Sequence, residues 1–150
     1  MIDNFDIAKS LLEQNGKITG LTTGDSMKPL FRSGKDKAVI IPLPQHFKVG
    51  DVLLYRNKTD DSLVLHRVVK LKNSLPVLRG DSMFVTETDI PHKNIIGILK
   101  GFYRNGKYYD CKGHLGYKIY VFYIILSYPF RRFMHKVISA FKRLKKLLEK

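Results

Sequence analysis

From residue 18 to residue 110 the chain is written in short β-branched and aromatic runs, each broken by glycine, proline, asparagine or aspartate. Runs of that length and make-up fit a pleated, half-buried surface better than a helix face. They predict strands over 37–41, 51–57, 63–71, 75–79, 94–104 and 107–110. Arg104-Asn105-Gly106-Lys107 provides an Asn-Gly hairpin turn between the last two. No long helices alternate with these strands, which excludes a doubly wound sheet and leaves a mainly β domain of about 90 residues. Before it, residues 3–15 set Phe5, Ile7, Ala8, Leu11 and Leu12 at helical spacing, with Asn15-Gly16 as the stop. The chain of 150 residues therefore divides into an N-terminal helix (1–17), one β domain (18–112) and a C-terminal segment (113–150).

The C-terminal segment carries most of the charge imbalance. The whole chain has 27 basic and 13 acidic residues, and residues 111–150 contribute ten of the first and only Glu149 of the second. An apolar, aromatic stretch runs to Pro129. In 131–150, Phe133, Met134, Val137, Ile138, Phe141, Leu144, Leu147 and Leu148 fall on one face of a helix and lysines and arginines on the other. No apolar run is long enough to span a bilayer, and the first residues lack the pattern of a secretory signal. A basic amphipathic helix after a short apolar segment predicts association of 115–150 with an anionic membrane surface. Its lysine and arginine density favours the cytoplasmic face. The bland alternative is a helix packed on the β domain with a solvated basic face. No recognition motif accompanies the charge, so nucleic acid is not an expected partner.

Cys111, the only cysteine, excludes an internal disulfide and a multi-cysteine zinc site, and the histidines show no metal-ligand spacing. Neither a metal nor a cofactor is expected. Three islands carry groups suited to acyl transfer: TTGDSMKPLFRSGK (22–35), LVLHRVV (63–69) and LRGDSM with the acids that follow it (78–89). A serine hydroxyl needs a neighbouring base before it can attack a carbonyl, and histidine with a pKa near neutrality suits that task. A carboxylate then fixes the imidazole tautomer. The islands offer Ser26, His66 and Asp81 in that order, Ser26 in a turn between Gly24 and Pro29 and His66 on a strand. The string Gly-Asp-Ser-Met occurs twice, at 24–27 and 80–83, but Ser82 lacks the following proline and is the poorer nucleophile.

This set resembles the signal peptidase family of serine endopeptidases, in the branch with a Ser-His rather than a Ser-Lys pair. The resemblance rests on Gly24 to Pro29, Gly50-Asp51-Val52, His66-Arg67-Val68, Gly80-Asp81 with Glu87 and Asp89 beyond it, and Ile96-Gly97, over roughly residues 20–103. It implies the mostly β catalytic domain shared with the self-cleaving SOS repressors. It also implies Ser26 as nucleophile, His66 as general base and Asp81 as the orienting acid, with Glu87 or Asp89 as alternatives for that last role. The expected substrate is a peptide or preprotein leader bound as an extended strand. The alternative is a catalytically inactive peptide-binding module of the same fold. Two places depart from the family pattern. Gly24 stands where members often carry a serine, leaving Thr22 or Thr23 as substitute oxyanion donors, and residues 1–17 do not read as a membrane anchor.

Overall fold

The computed structural model describes residues 4–148. Residues 1–3, 149 and 150, and the side chains of Leu144, Lys146, Leu147 and Leu148, lie outside that description, and with them the far end of the expected apolar face. The first helix, α1 (Phe5–Asn15), starts where the Asn4 side chain accepts hydrogen bonds from the Asp6 and Ile7 N–H groups. It ends at Gly16, whose N–H returns to the Leu12 carbonyl. Ala8 and Leu12, one turn apart, are its buried residues.

Seven strands follow: β1 (Ile18–Leu21), β2 (Lys37–Pro42), β3 (Val52–Arg56), β4 (Leu63–Lys72), β5 (Leu75–Arg79), β6 (Ile95–Arg104) and β7 (Lys107–Asp110). Six of them correspond to the strands predicted from sequence. The addition is β1, whose four residues lack the apolar density that marked the others. All pairings are antiparallel, in the order β1-β2-β6-β3-β4-β5, with β7 also paired to β6. β6 is the long central strand, and β1 and β5 form the two ends.

The sheet buries both faces. Val52, Leu54, Leu99 and Phe102 pack with Ala8 and Leu12 of α1 and with Met27, Leu30 and Phe31. The alternate residues Leu53, Tyr55, Val68, Leu78 and Ile98 pack on the opposite side with Ile90 and Ile95. Strand β3 is thus covered on both sides, which explains its unbroken apolar run.

Two helices close the chain, α2 (Leu115–Leu126) and α3 (Tyr128–Leu148). Pro129 lies in the first turn of α3, where its missing N–H costs no helical hydrogen bond. Neither helix, over the described residues, is long and apolar enough to cross a membrane. α2 belongs to the packed body, because Ile124 is buried and Tyr117 and Tyr120 lie against the first apolar cluster.

Its attachment centres on Arg67, which is fully buried and opposite Val52 on β3. The Arg67 guanidinium donates to both Asp81 carboxylate oxygens, at 2.7 and 2.6 Å, and to the Gly50 carbonyl at 2.7 Å. The Tyr117 and Tyr120 rings flank it, and the Tyr120 hydroxyl donates to Asp81 at 2.8 Å. A buried charge persists only when it is paired and hydrogen-bonded, and this one is satisfied from three sides.

Candidate active site

Ser26 stands in the connection between β1 and β2. Buried Met27, Leu30 and Phe31 anchor that connection in the core, and Thr22 pins its start through N–H and hydroxyl bonds to the Asp36 carbonyl, both 2.9 Å. Asp36 holds the other end: its buried carboxylate accepts from the Arg32 N–H and from the Arg32 and Arg104 guanidiniums. Burial alone would raise its pKa, but the two arginines outweigh burial and hold the carboxyl well below the usual range. Gly24 has φ of 78°, the left-handed region, so the serine that the family pattern places there would be strained. The Thr22 hydroxyl is committed to Asp36, which argues against it as a substitute oxyanion donor.

The two Gly-Asp-Ser-Met strings touch. The Ser82 N–H donates to the Ser26 carbonyl at 3.0 Å, and the Ser82 hydroxyl donates to the carbonyls of Asp25 and Ser26 at 2.7 and 3.0 Å. Gly80 is needed beside them, since a Cβ there would lie 2.5 Å from the Ser26 carbonyl oxygen. Ser82 is therefore a backbone clamp on the Ser26 turn, a role sequence reasoning missed because no local pattern reports a contact 56 residues away.

His66 lies on β4 opposite Leu53, on the face of the second apolar cluster, and is 5% exposed. Its Nδ1 is 2.9 Å from the Tyr55 hydroxyl and 2.9 Å from Glu87 Oε1, while the Tyr55 hydroxyl donates to the same Glu87 oxygen at 2.6 Å. Glu87 is held there by a two-way backbone bridge to Leu78. The Tyr55 proton is spent on Glu87, so the Tyr55 oxygen is free to accept from Nδ1–H. The imidazole is then protonated at Nδ1 and bears its lone pair at Nε2. Burial lowers the His66 pKa, and the Glu87 charge opposes that without cancelling it, so the ring is a neutral base at neutral pH. Burial and Glu87 both push the Tyr55 phenol upward, keeping its proton in place.

The position behind the ring is thus filled by Glu87. Asp81, the first expectation for it, is drawn away by the Arg67 guanidinium and the Tyr120 hydroxyl and serves as the clasp on α2. Asp89, the other alternative, accepts from the Thr88 hydroxyl. Tyr55 was not legible as part of the site, because it follows the core residues Val52, Leu53 and Leu54 in one apolar run.

A cavity of about 230 Å³ opens beside Ser26, lined by residues 18–24 of β1 and its exit, Met27, Phe31, Ile40 and Leu54, with Leu63, Val64 and Leu65 completing the wall. His66 is not in that lining, and its buried Nε2 makes no hydrogen bond, so the Ser26 hydroxyl is not bonded to it in this structure. Cys111 is a poor nucleophile, since burial raises its thiol pKa to about 12. Among the described residues no three His, Cys, Asp or Glu side chains gather in a way that could hold a metal ion. No protein-family model matches the chain, and neither a curated protein nor a solved structure does.

Proposed function

We propose that this chain is a serine endopeptidase of the signal peptidase type, built on the mostly β catalytic domain shared with the self-cleaving SOS repressors. The observation that carries the proposal is the state of His66: an acid and a phenol fix its Nδ1, and its Nε2 lone pair is unspent. Most buried polar atoms find a partner, so an unspent Nε2 on a ring fixed at its other nitrogen is a feature that a base would explain. The cavity supports the same conclusion, since its wall runs from the open edge strand β1 directly to Ser26 and is mostly apolar. An extended peptide adding to β1 would carry its backbone toward the Ser26 hydroxyl.

In the proposed reaction, binding closes the gap between Ser26 Oγ and His66 Nε2, as catalytic contacts commonly tighten around substrate. Oγ forms a bond to the scissile carbonyl carbon while its proton passes to Nε2. The oxyanion intermediate collapses, the C–N bond breaks, and the imidazolium gives its proton to the leaving amine. Water then attacks the ester, its proton passing through Nε2 back to the Ser26 oxygen as the ester C–O bond breaks. Glu87 and Tyr55 stabilise the imidazolium throughout without giving up the tautomer.

The test is acylation by a p-nitrophenyl ester, read as a burst and as an intact-mass adduct on Ser26. The adduct should be absent in Ser26→Ala and in His66→Ala. One observation favours a second reading, a peptide-binding module without catalysis: His66 lies outside the lining of the cavity beside Ser26. Lack of an adduct in both lipid and detergent, with retained peptide binding, would establish the module instead.

A further inference from the structure

The two C-terminal helices turn the wrong sides outward for a water-soluble surface. α3 meets the body through polar groups: the Tyr128 hydroxyl donates to the Phe84 carbonyl at 3.1 Å, Arg131 donates to the Asp81 carbonyl at 3.0 Å, and His135 stacks on Phe84 at 4.4 Å. The Arg79 guanidinium lies 3.3 Å from the centre of the Tyr128 ring. At 100° per residue, Phe130, Phe133, Met134, Val137, Ile138 and Phe141 occupy a sector of roughly 140°, turned away from those contacts. Helix α2 puts Tyr117, Tyr120 and Ile124 on the body and leaves an outer face that is apolar too. Leu115, Phe122 and Leu126 of α2, and Phe130, Phe133 and Phe141 of α3, are 62–69% exposed. An amphipathic helix packed on its own domain through its apolar face would show the reverse pattern.

We infer that the outer faces of α2 and α3 together form one docking surface for an anionic lipid bilayer, with both helices lying in the plane of the interface. Charge selects this occupant. No acidic residue occurs from Lys112 to Leu148, while on α3 Lys142 lies about 40° beyond one edge of the apolar sector, Lys136 about 60° beyond the other, and Arg132 and Arg143 behind it. A second copy of the chain would bring that positive flank against itself. Neither helix can cross a bilayer, and a 21-residue helix extends about 31 Å, enough to lay all three phenylalanines of α3 along the interface. The bolts at Asp81 and Phe84 then fix the Ser26–Ser82 turns next to the lipid surface.

The experiment uses the whole chain and sedimentation with vesicles of phosphatidylcholine alone or with about 30% phosphatidylglycerol. Wild type should pellet with the anionic vesicles and be released by high salt. The Phe133→Asp/Phe141→Asp double variant should bind at least about tenfold more weakly. Its melting temperature should be unchanged, because both side chains are exposed. Ile7→Asp, at an exposed position on α1, should bind as wild type, and so should Ser26→Ala, which separates this surface from the peptidase reading. Unchanged binding by the double variant, or equal binding to neutral vesicles, would overturn the inference. So would a lipid-free dimer abolished by the same substitutions in a chain that ignores vesicles.

Discussion

Glu87→Gln and Asp81→Asn remove the same charge from two carboxylates within one site region, and the structure requires opposite outcomes. Asp81 is 1% exposed and bidentate to fully buried Arg67. Neutralising it leaves a buried guanidinium without its counter-charge, which costs about 3–5 kcal/mol. For a chain of this size that corresponds to a fall in melting temperature of about 6–20 °C. The protein should still be mostly folded at 25 °C, and its acylation rate should stay within a few-fold of wild type. Glu87 has a side chain that is 30% exposed, so its neutralisation should cost only about 1 kcal/mol in stability.

The chemistry should suffer where the fold does not. A glutamine at 87 that turns its amide N–H toward the Tyr55 oxygen frees the Tyr55 proton to point at His66 Nδ1. The imidazole proton then moves to Nε2, the nitrogen that must accept from Ser26. A fixed wrong tautomer lowers acylation by roughly 10³–10⁴-fold. The p-nitrophenyl ester burst measures the rate and thermal unfolding measures the stability of the same preparations. Wild-type acylation by Glu87→Gln would refute the relay. Loss of acylation by Asp81→Asn at an unchanged melting temperature would return the orienting role to Asp81.

Gly80→Ala should cost about 1–3 kcal/mol, because its Cβ would stand 2.5 Å from the Ser26 carbonyl and the turn must yield. A nucleophile displaced by a substantial fraction of an ångström should acylate about 10²-fold more slowly, which the same burst assay reads. Ser82→Ala, at the serine that the sequence presents as the poorer nucleophile, should lose about 1 kcal/mol and slow acylation about tenfold, since its hydroxyl clamps the Asp25 and Ser26 carbonyls. The acid limb of the acylation profile should fall below pH 6.5. Burial lowers the folded pKa of His66, and only the neutral ring accepts a proton. Glu87→Gln removes the opposing charge, so its residual activity should show the limb at still lower pH. The same shift adds stability that is complete above the unfolded histidine value and lost as pH falls toward the folded one, readable from melting temperatures across pH 4–8.

The strands were legible because their residue types and breaks are local properties, and the Asn105-Gly106 turn formed where its dipeptide demands positive φ at both positions. β1 was not, because Ile18-Thr19-Gly20-Leu21 is half polar and gains its strand character from pairing with β2. Ser26 and His66 stood out by their settings, yet the acid behind the ring could not be chosen from sequence. Asp81 and Glu87 differ only in what the fold brings to them, an arginine to one and a histidine to the other. The amphipathic period of 131–150 was plain, whereas the side it turns inward depended on Arg79, Phe84 and Asp81, all more than 40 residues earlier.

The repeated Gly-Asp-Ser-Met string shows how far a motif is from a role. At 24–27 the aspartate is exposed and pairs with Lys28, the serine borders the cavity, and the methionine is buried in the core. At 80–83 the aspartate is buried against Arg67, the serine donates its proton to the first copy, and the methionine is exposed. Identical residues take complementary parts because one copy leaves an end strand toward the core and the other leaves the opposite end strand toward α2 and α3. The second copy bonds the first through Ser82 and the C-terminal helices through Asp81. The Ser26 turn is therefore mechanically continuous with α3, and a force on the helices acts on the Ser26 backbone through three residues, Asp81, Ser82 and Ser26.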